Sequence, residues 1–543
     1  MKVIDDNFLF PSRHIPPCFL NEQIINKLDN ILNSFGTVED LIGHYYKIEL
    51  GSINSFKGFI DSQYGFTKGT EPIQANISKP NGGNRIISIP NPIALLPLHF
   101  YLYQNSITIL NEQEEDTDLF LSSSKFFLDK GQIVTQYGYE EYEVEEIEEL
   151  NQRDYNDRFI NSHKICDGKY YHLAIDISNF YNSIYTHTIS WDLKDTSKKQ
   201  VFENLDILTR TMNYNETKGI LIGPYSSSLF AEILLSKVDR AIMPKCITND
   251  ISYTRYCDDF DLYCDSKESL ENTIKKAISE VLSKYKLDLN MEKMKLEEFP
   301  FISLNTVQNK TIFLFLERIK NEDYKDSLEF IESVMNEINN SLKIKYSNCN
   351  YLLKILISLF KDGRVPSKYL NDQTSEILLD FLINMMFKNN LISANIAQLI
   401  ELIISKSTLN KINIIEKWIK KRDKREANIK EITDIWLMYL ILTLEIKSNV
   451  IDTYVLKMLE KGDLELVLSL EYFFHHDQLE LCKQQIKDRL HNIKVELQSR
   501  FDTNWIKAGY YSKYWLLFYI NSTRWKIHNV SGYKNSILKD MYL

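Results

Sequence analysis

Two adjacent carboxylates, Asp258 and Asp259, stand between two runs that read as short strands. The first run is Ile251-Ser252-Tyr253-Thr254-Arg255, and the second is Phe260-Asp261-Leu262-Tyr263-Cys264. Both are rich in β-branched and aromatic residues, which suit a pleated, half-buried surface. A tight turn at Tyr256-Cys257-Asp258-Asp259 therefore places like charges at a hairpin tip. Side by side they repel, and a tip without a counter-ion gains nothing from them. A bound divalent cation removes the conflict, because hard oxygen ligands suit Mg²⁺. An ordinary solvated Asp-Asp turn accounts for the same four residues, and short motifs often match by chance.

A second acidic position narrows the choice. His172-Leu173-Ala174-Ile175 reads as a buried strand that ends in Asp176. One strand-end carboxylate and one hairpin-tip pair form the ligand set of a two-metal phosphoryl-transfer site. One ion would activate a 3′-type hydroxyl and the other would stabilise the leaving pyrophosphate. Upstream, Lys79 and Arg85 flank the Gly82-Gly83 turn. From one hairpin face they would reach a triphosphate, Arg bidentately and Lys as a point charge. Surface charge beside a turn is the other reading. Gly223 would let the backbone approach a nucleotide closely, or is a simple loop glycine.

Several segments in order resemble the reverse transcriptases. Ile175-Asp176-Ile177-Ser178-Asn179-Phe180-Tyr181 resembles their first palm motif, and Tyr256-Cys257-Asp258-Asp259 their Tyr-x-Asp-Asp box. Gly219 to Ser228 lies where the family has Gly-x-Pro-Gln-Gly-x-x-x-Ser. Leu287-Asp288-Leu289-Asn290-Met291-Glu292-Lys293-Met294-Lys295 resembles the following Leu-x-Leu-Asn-x-x-Lys-x-Lys segment. Lys79 to Pro90 resembles the fingers segment that carries a Lys and an Arg. Phe180-Tyr181 through Tyr185-Thr186-His187-Thr188-Ile189-Ser190-Trp191 is similar to a run of the bacterial abortive-infection reverse transcriptases, the AbiK and AbiA class, in its shorter prophage-encoded type. Leu121-Ser122-Ser123-Ser124-Lys125-Phe126-Phe127 resembles a segment of that class too.

The resemblance implies an α+β fold, a right-hand polymerase fingers and palm followed by an all-α HEAT-like helical repeat domain. It implies catalysis by Asp176, Asp258 and Asp259, which would hold two Mg²⁺ ions, or Mn²⁺, with the Ile177 carbonyl as a further ligand. Nucleotide contacts would come from Lys79, Arg85, Tyr181, Gly223 and Lys293, with the Tyr181 ring excluding a 2′-hydroxyl. Packing near a strand end explains Tyr181 equally well. One departure matters: Leu221-Ile222 replaces the family's Pro-Gln, whose amide contacts the incoming nucleotide and helps hold the template pair. Its loss agrees with what this class implies: untemplated DNA synthesis from dNTPs in phage defence, primed by a protein hydroxyl. The single-stranded product would stay covalently attached. None of the 32 Tyr is marked as the primer. The class also implies a bacterial cytoplasmic homo-oligomer, a trimer or hexamer. The alternatives are templated RNA-directed synthesis of a retron or group II intron type, and an inactive palm used as an RNA-binding scaffold.

Composition bounds the rest. The 543 residues suffice for two or more domains, and 44% hydrophobic with 25% charged residues is ordinary for a globular chain. A net charge of −10 argues against dedicated non-specific duplex binding. The seven Cys show no Cys-x-x-Cys spacing and read as reduced thiols. No basic start precedes an apolar core, and no apolar run is long enough to span a membrane. The expected division is an N-terminal segment 1–75, fingers 76–165, palm 166–325, and a helical domain 326–543, where apolar residues recur at i, i+3, i+4. The acidic clusters Glu112 to Asp118 and Glu140 to Glu149 read as solvated surface. The basic run from Lys417 to Arg425 reads as a solvated helix face or as a track for emerging single-stranded DNA, with Trp418 for stacking.

Overall fold

The computed structural model describes residue 16 and residues 69–78, 83–129, 132–135, 163–301, 305–344, 346–424, 431–501, 505–509 and 511–517. Lys79 and the stretch Glu140 to Glu149 lie outside them. Strands β1 (Ile73–Ser78) and β2 (Asn84–Ile89) form an antiparallel hairpin. Alternation builds it: Ile73, Ala75 and Ile77 are buried, while Gln74 and Asn76 are exposed.

A five-stranded sheet carries the site. Its order is β3-β7-β8-β6-β9, with β3 Phe120–Ser122, β6 Tyr171–Asp176, β7 Ser252–Tyr256, β8 Asp259–Cys264 and β9 Lys295–Glu298. A separate pair, β4 (Phe126–Asp129) and β5 (Gln132–Thr135), follows β3. β3 falls in the stretch assigned by sequence to the fingers, yet it pairs in parallel with β7. The boundary expected at 165/166 therefore cuts through the sheet, with β3 on one side of it and its partner β7 on the other. In the acidic cluster from Glu112 to Asp118, residues Glu115, Asp116 and Asp118 are exposed as expected, while Glu112 departs from the solvated reading. Glu112 is buried, with Lys198 Nζ at 2.9 Å and Arg240 Nη1 at 3.6 Å.

Helices α1 (Pro92–Gln104) and α2 (Ser106–Leu110) precede β3; α3 (Phe180–Ser183) and α4 (Thr196–Thr211) follow β6. The long helix α5 (Tyr225–Thr248) starts after Pro224, whose missing amide costs nothing at a helix start. α6 (Lys275–Lys284) leads toward β9.

Beyond β9 the described chain is helical: α7 (Asn305–Lys320), α8 (Ser327–Ile344), α9 (Tyr346–Lys361), α10 (Asp372–Lys388), α11 (Ser393–Lys406), α12 (Lys411–Asp423), α13 (Glu431–Thr443), α14 (Asn449–Met458), α15 (Asp463–His475), α16 (Leu479–Arg500) and α17 (Trp505–Gly509). Helix thus begins before the expected boundary at 325, because Ile312, Phe315 and Ile319 supply a buried stripe to α7. α8 packs on α9, α9 on α11, α11 on α13 and α13 on α15. The helices also return to the fingers hairpin. The Asn76 amide and side chain donate to Glu431 at 3.3 and 3.4 Å, and Glu71 is ion-paired to Arg500. Among the described residues no helix is long and apolar enough to cross a membrane.

The DNA-track reading of α12 does not hold for Trp418. Ile414, Ile415, Trp418, Ile419 and Arg422 form one buried face, at helical spacing. Trp418 Nε1 donates to Asp380 at 3.1 Å, so its ring has no face for a base. Lys417 pairs with Glu376 and Asp380 at 2.7 Å each, and Lys421 with Asp380 at 3.2 Å.

Candidate active site

The sheet register assembles the carboxylates. β6 and β8 pair antiparallel so that Asp176 faces Asp259 directly, and β7 and β8 pair so that Tyr256 faces Asp259. Cys257 and Asp258 are left as a two-residue turn between the strands. Cys257 adopts a φ of 51°, in the left-handed region that a side chain tolerates poorly. The register therefore brings three acidic residues to one end of the sheet, because a buried strand stops at Asp176 where the hairpin turns.

Their electrostatics call for a cation. Burial, and behind it the neighbouring carboxylates of Asp259 and Asp176, pushes the Asp258 carboxyl up to about 7. Lys293 Nζ lies 2.7 Å from Asp176 Oδ2, and the Asn290 amide donates to the same oxygen at 3.0 Å. The Asp176 carboxylate holds the Lys293 ammonium above its ordinary range. As they stand, no three carboxylates, imidazoles or thiols among the described residues are gathered to hold an ion. The donor set still fits a hard divalent ion: oxygen ligands, excess negative charge, and an ammonium already drawn onto one of them. The Ile177 bridge to Leu289 is made by its neighbours, Ser178 N to Asp288 O and Asn290 N to Asp176 O, both 2.8 Å. That pattern turns the Ile177 carbonyl to the β8 side, where the hairpin tip lies.

The remaining expected residues fall around this end unevenly. Tyr181 is half-buried, and its hydroxyl is 3.2 Å from Ser228 Oγ on α5. Burial and the nearby Cys257 and Asp258 drive its phenol far above the ordinary range, so the ring borders the turn. Ile220 N donates to the Tyr181 carbonyl at 3.0 Å, which fastens the 219–223 loop beside it. Gly223 has a φ of 134°, open essentially to glycine alone. Leu221 is buried and Ile222 is half-buried, and neither presents an amide. Ser88 of β2 donates to the Ile222 carbonyl at 2.9 Å, so the fingers hairpin rests on this loop. Arg85 is solvent-exposed near the free end of that hairpin. Lys293, expected at the nucleotide, is instead ion-paired to Asp176.

Sequence reading missed the residues behind the turn. Arg255 is fully buried between Glu232 and Asp239 of α5, at 2.8 and 2.7 Å. Ser122 and Ser124 donate to Glu232 at 2.9 and 2.6 Å. Burial raises the Glu232 carboxyl, but Arg255 and these hydroxyls outweigh it and hold it below its usual range. Burial wins at Asp239, whose carboxyl rises to about 6 despite Arg255. The signal was two acids seven residues apart in an apolar helix, with one Arg on a buried strand. His187 and Trp191 serve support: His187 Nδ1 is 2.6 Å from buried Asp206, and Lys237 donates to the Trp191 carbonyl at 2.7 Å.

A family model described as reverse transcriptase (RNA-dependent DNA polymerase) matches residues 131–352, which include Asp176, Asp258 and Asp259. The retron Ec83 reverse transcriptase of Escherichia coli is 28% identical over 118 residues, 20% of this chain and 38% of that protein. Apo telomerase from Candida tropicalis aligns over 78% of this chain and 80% of its own, at 14% identity and a TM-score of 0.29. Its form truncated from the C-terminal domain aligns over 51% and 57%, at 16% identity and a TM-score of 0.29. The chain carries a reverse transcriptase domain, the catalytic unit of a DNA-polymerising nucleotidyltransferase family.

Proposed function

We propose that this protein is a DNA polymerase of phage defence that builds DNA from dNTPs without a template, on a hydroxyl of the protein itself. Asp176, Asp258 and Asp259 would hold two divalent ions, Mg²⁺ or Mn²⁺, with the Ile177 carbonyl as a further ligand. The ions supply Lewis-acid stabilisation of the transferring phosphate. The chain's own part is placement. A tyrosine hydroxyl gives up its proton to solvent, its oxygen attacks the α-phosphorus, the bond from that phosphorus to the α–β bridging oxygen breaks, and pyrophosphate leaves with the electron pair. Lys79 and Arg85 bind the triphosphate, Gly223 admits it, and Tyr181 lies under the sugar. Lys293, which here pairs with Asp176, would offer its ammonium to the phosphates. The helical region is read as a HEAT-like stack, supported by the packing of alternate helices, and the assembly as a cytoplasmic homo-oligomer in bacteria.

The observation that carries the untemplated reading is the 221–222 pair. Leu221 is buried in the core, and Ile222 offers an aliphatic side chain beside the Gly223 backbone. An aliphatic group has neither donor nor acceptor to hold a base pair in register. Purified protein incubated with labelled dNTPs, without primer or template, tests this. Label that remains on the protein in a denaturing gel is expected, and peptide mass mapping locates the primer. A second reading is templated RNA-directed synthesis, which the likeness to a retron reverse transcriptase favours. Sequencing the product separates the two: faithful copies of a supplied RNA would establish the second.

A further inference from the structure

We propose that Ser124 and Glu232 are positioning residues for the aspartate pair, acting on the Cys257 backbone from both sides. The proposal rests on the reading of Asp258 and Asp259 as the nucleotidyl-transfer carboxylates. The Cys257 amide donates to Ser124 Oγ at 3.0 Å, and Arg255 Nη1 donates to the Cys257 carbonyl at 3.2 Å. Both anchors meet at one carboxylate. Ser124 Oγ donates to Glu232 Oε2 at 2.6 Å, while Arg255 Nη1 and Nη2 donate to its two oxygens at 2.8 Å each. The contacts close a ring through Cys257, Ser124, Glu232 and Arg255. Asp239 takes the other edge of the guanidinium, from Nε at 2.9 Å and Nη2 at 2.7 Å, which fixes its rotation.

The ring has a task that follows from the backbone. Cys257 sits in the left-handed region without being glycine, and such a conformation persists only where its surroundings over-determine it. The direction of the hydrogen bonds is also settled. The Ser124 hydroxyl spends its proton on Glu232, so its lone pair is free to accept from the Cys257 amide. A satisfied polar ring whose Glu232 and Arg255 are buried specifies a single arrangement. The carboxylates next to the turn inherit that precision, and a shift of about 1 Å at a reacting centre costs about a hundredfold in rate. Ser122 provides the internal comparison: it also donates to Glu232 and accepts from the Ser124 amide at 3.3 Å, but it makes no hydrogen bond to Cys257.

The test compares Ser124→Ala, Ser124→Thr and Ser122→Ala in the full chain. Mn²⁺ binding is read by electron paramagnetic resonance, and dNTP incorporation by kcat and KM separately. Ser124→Ala is expected to weaken Mn²⁺ binding and to lower kcat by roughly ten- to a hundredfold, with KM for dNTP little changed. Ser124→Thr, which keeps the hydroxyl, restores both. Ser122→Ala lowers the melting temperature without moving the Mn²⁺ titration. If Ser124→Ala and Ser122→Ala lose only stability, with metal binding as in the parent, Ser124 is a packing residue and the proposal is overturned. Asp258→Asn run alongside keeps the two ideas apart. Its inactivity with an unmoved Ser124→Ala sinks the positioning role alone; its full activity sinks the reading of the aspartates as well.

Discussion

Lys293 Nζ rests on Asp176 Oδ2 at 2.7 Å, at the end of a strand whose cross-strand neighbour is Asp259. The ammonium and a divalent ion compete for the same oxygen. Lys293→Ala should therefore lower the melting temperature in metal-free buffer, since the carboxylates lose their counter-charge. It should also tighten Mn²⁺ binding several-fold, because no ammonium has to leave. Calorimetric titration of parent and variant checks the sign. Weaker binding in the variant would show that Lys293 organises the ligands and does not stand in for an ion.

Asp258 makes stability depend on pH. Its carboxyl holds a proton up to about 7 in the folded protein, against an ordinary value of 3.8. Between those values the folded state binds more protons than the unfolded one, so stability falls as pH rises through the window. The slope is at most about 1.4 kcal/mol per pH unit for one group. Asp258→Asn should flatten that part of the metal-free profile and leave the fold intact. The same variant should abolish nucleotide incorporation, because a neutral amide binds Mg²⁺ poorly. Denaturant melts from pH 4 to 8 and an incorporation assay read the two effects independently.

Tyr181 separates ring from hydroxyl. Tyr181→Ala should admit ribonucleotides by removing the ring beneath the sugar. Tyr181→Phe loses only the contact to Ser228, 3.2 Å away, and should keep the discrimination. The ratio of kcat/KM for dNTP over NTP decides it. An unchanged ratio in Tyr181→Ala would assign the residue to packing.

Asp434 is the acceptor at the centre of the helical region. Arg422 Nη2, Lys461 Nζ and Tyr454 Oη reach it at 2.8, 2.7 and 3.1 Å. Arg422 has no solvent exposure and holds Asp434 bidentately while its Nη1 reaches Asp423 at 3.2 Å, so Asp434→Ala removes the main partner of a buried charge and should cost about 3 kcal/mol of stability. Urea unfolding measures it; a loss below 1 kcal/mol would mean that water replaces the carboxylate.

What could be read from sequence was what local pattern specifies. The apolar run ending in Asp176 and the flanks of Asp258 and Asp259 announce strands, and the structure pairs them. The three residues of β3 are too few to show a pattern, and their partner β7 lies more than a hundred residues on. Trp418 was misread for a different reason. Its basic neighbours drew attention, while the stripe of Ile414, Ile415, Trp418, Ile419 and Arg422 already marked the buried face. The ring around Cys257 was hidden because it joins a serine from a loop, a glutamate from a helix and an arginine from a strand, and no window of sequence contains them together.

Ile222 offers the most direct test of how a template is used or ignored. Its carbonyl is committed to Ser88, so the loop backbone is held whatever side chain it carries. Ile222→Gln should therefore fold, and it places an amide with two donors and an acceptor beside Gly223. If the aliphatic residue is why base identity goes unchecked, the amide should make incorporation respond to a supplied RNA. The product should then shift from following nucleotide supply toward following the template, and synthesis without template should slow. Deep sequencing of product from both proteins, with and without a defined RNA, measures this. A parent enzyme that already copies the RNA faithfully would refute the untemplated reading at once. A variant that stays indifferent to it would move the cause of template independence away from Ile222, to a part of the site where the template strand itself is held.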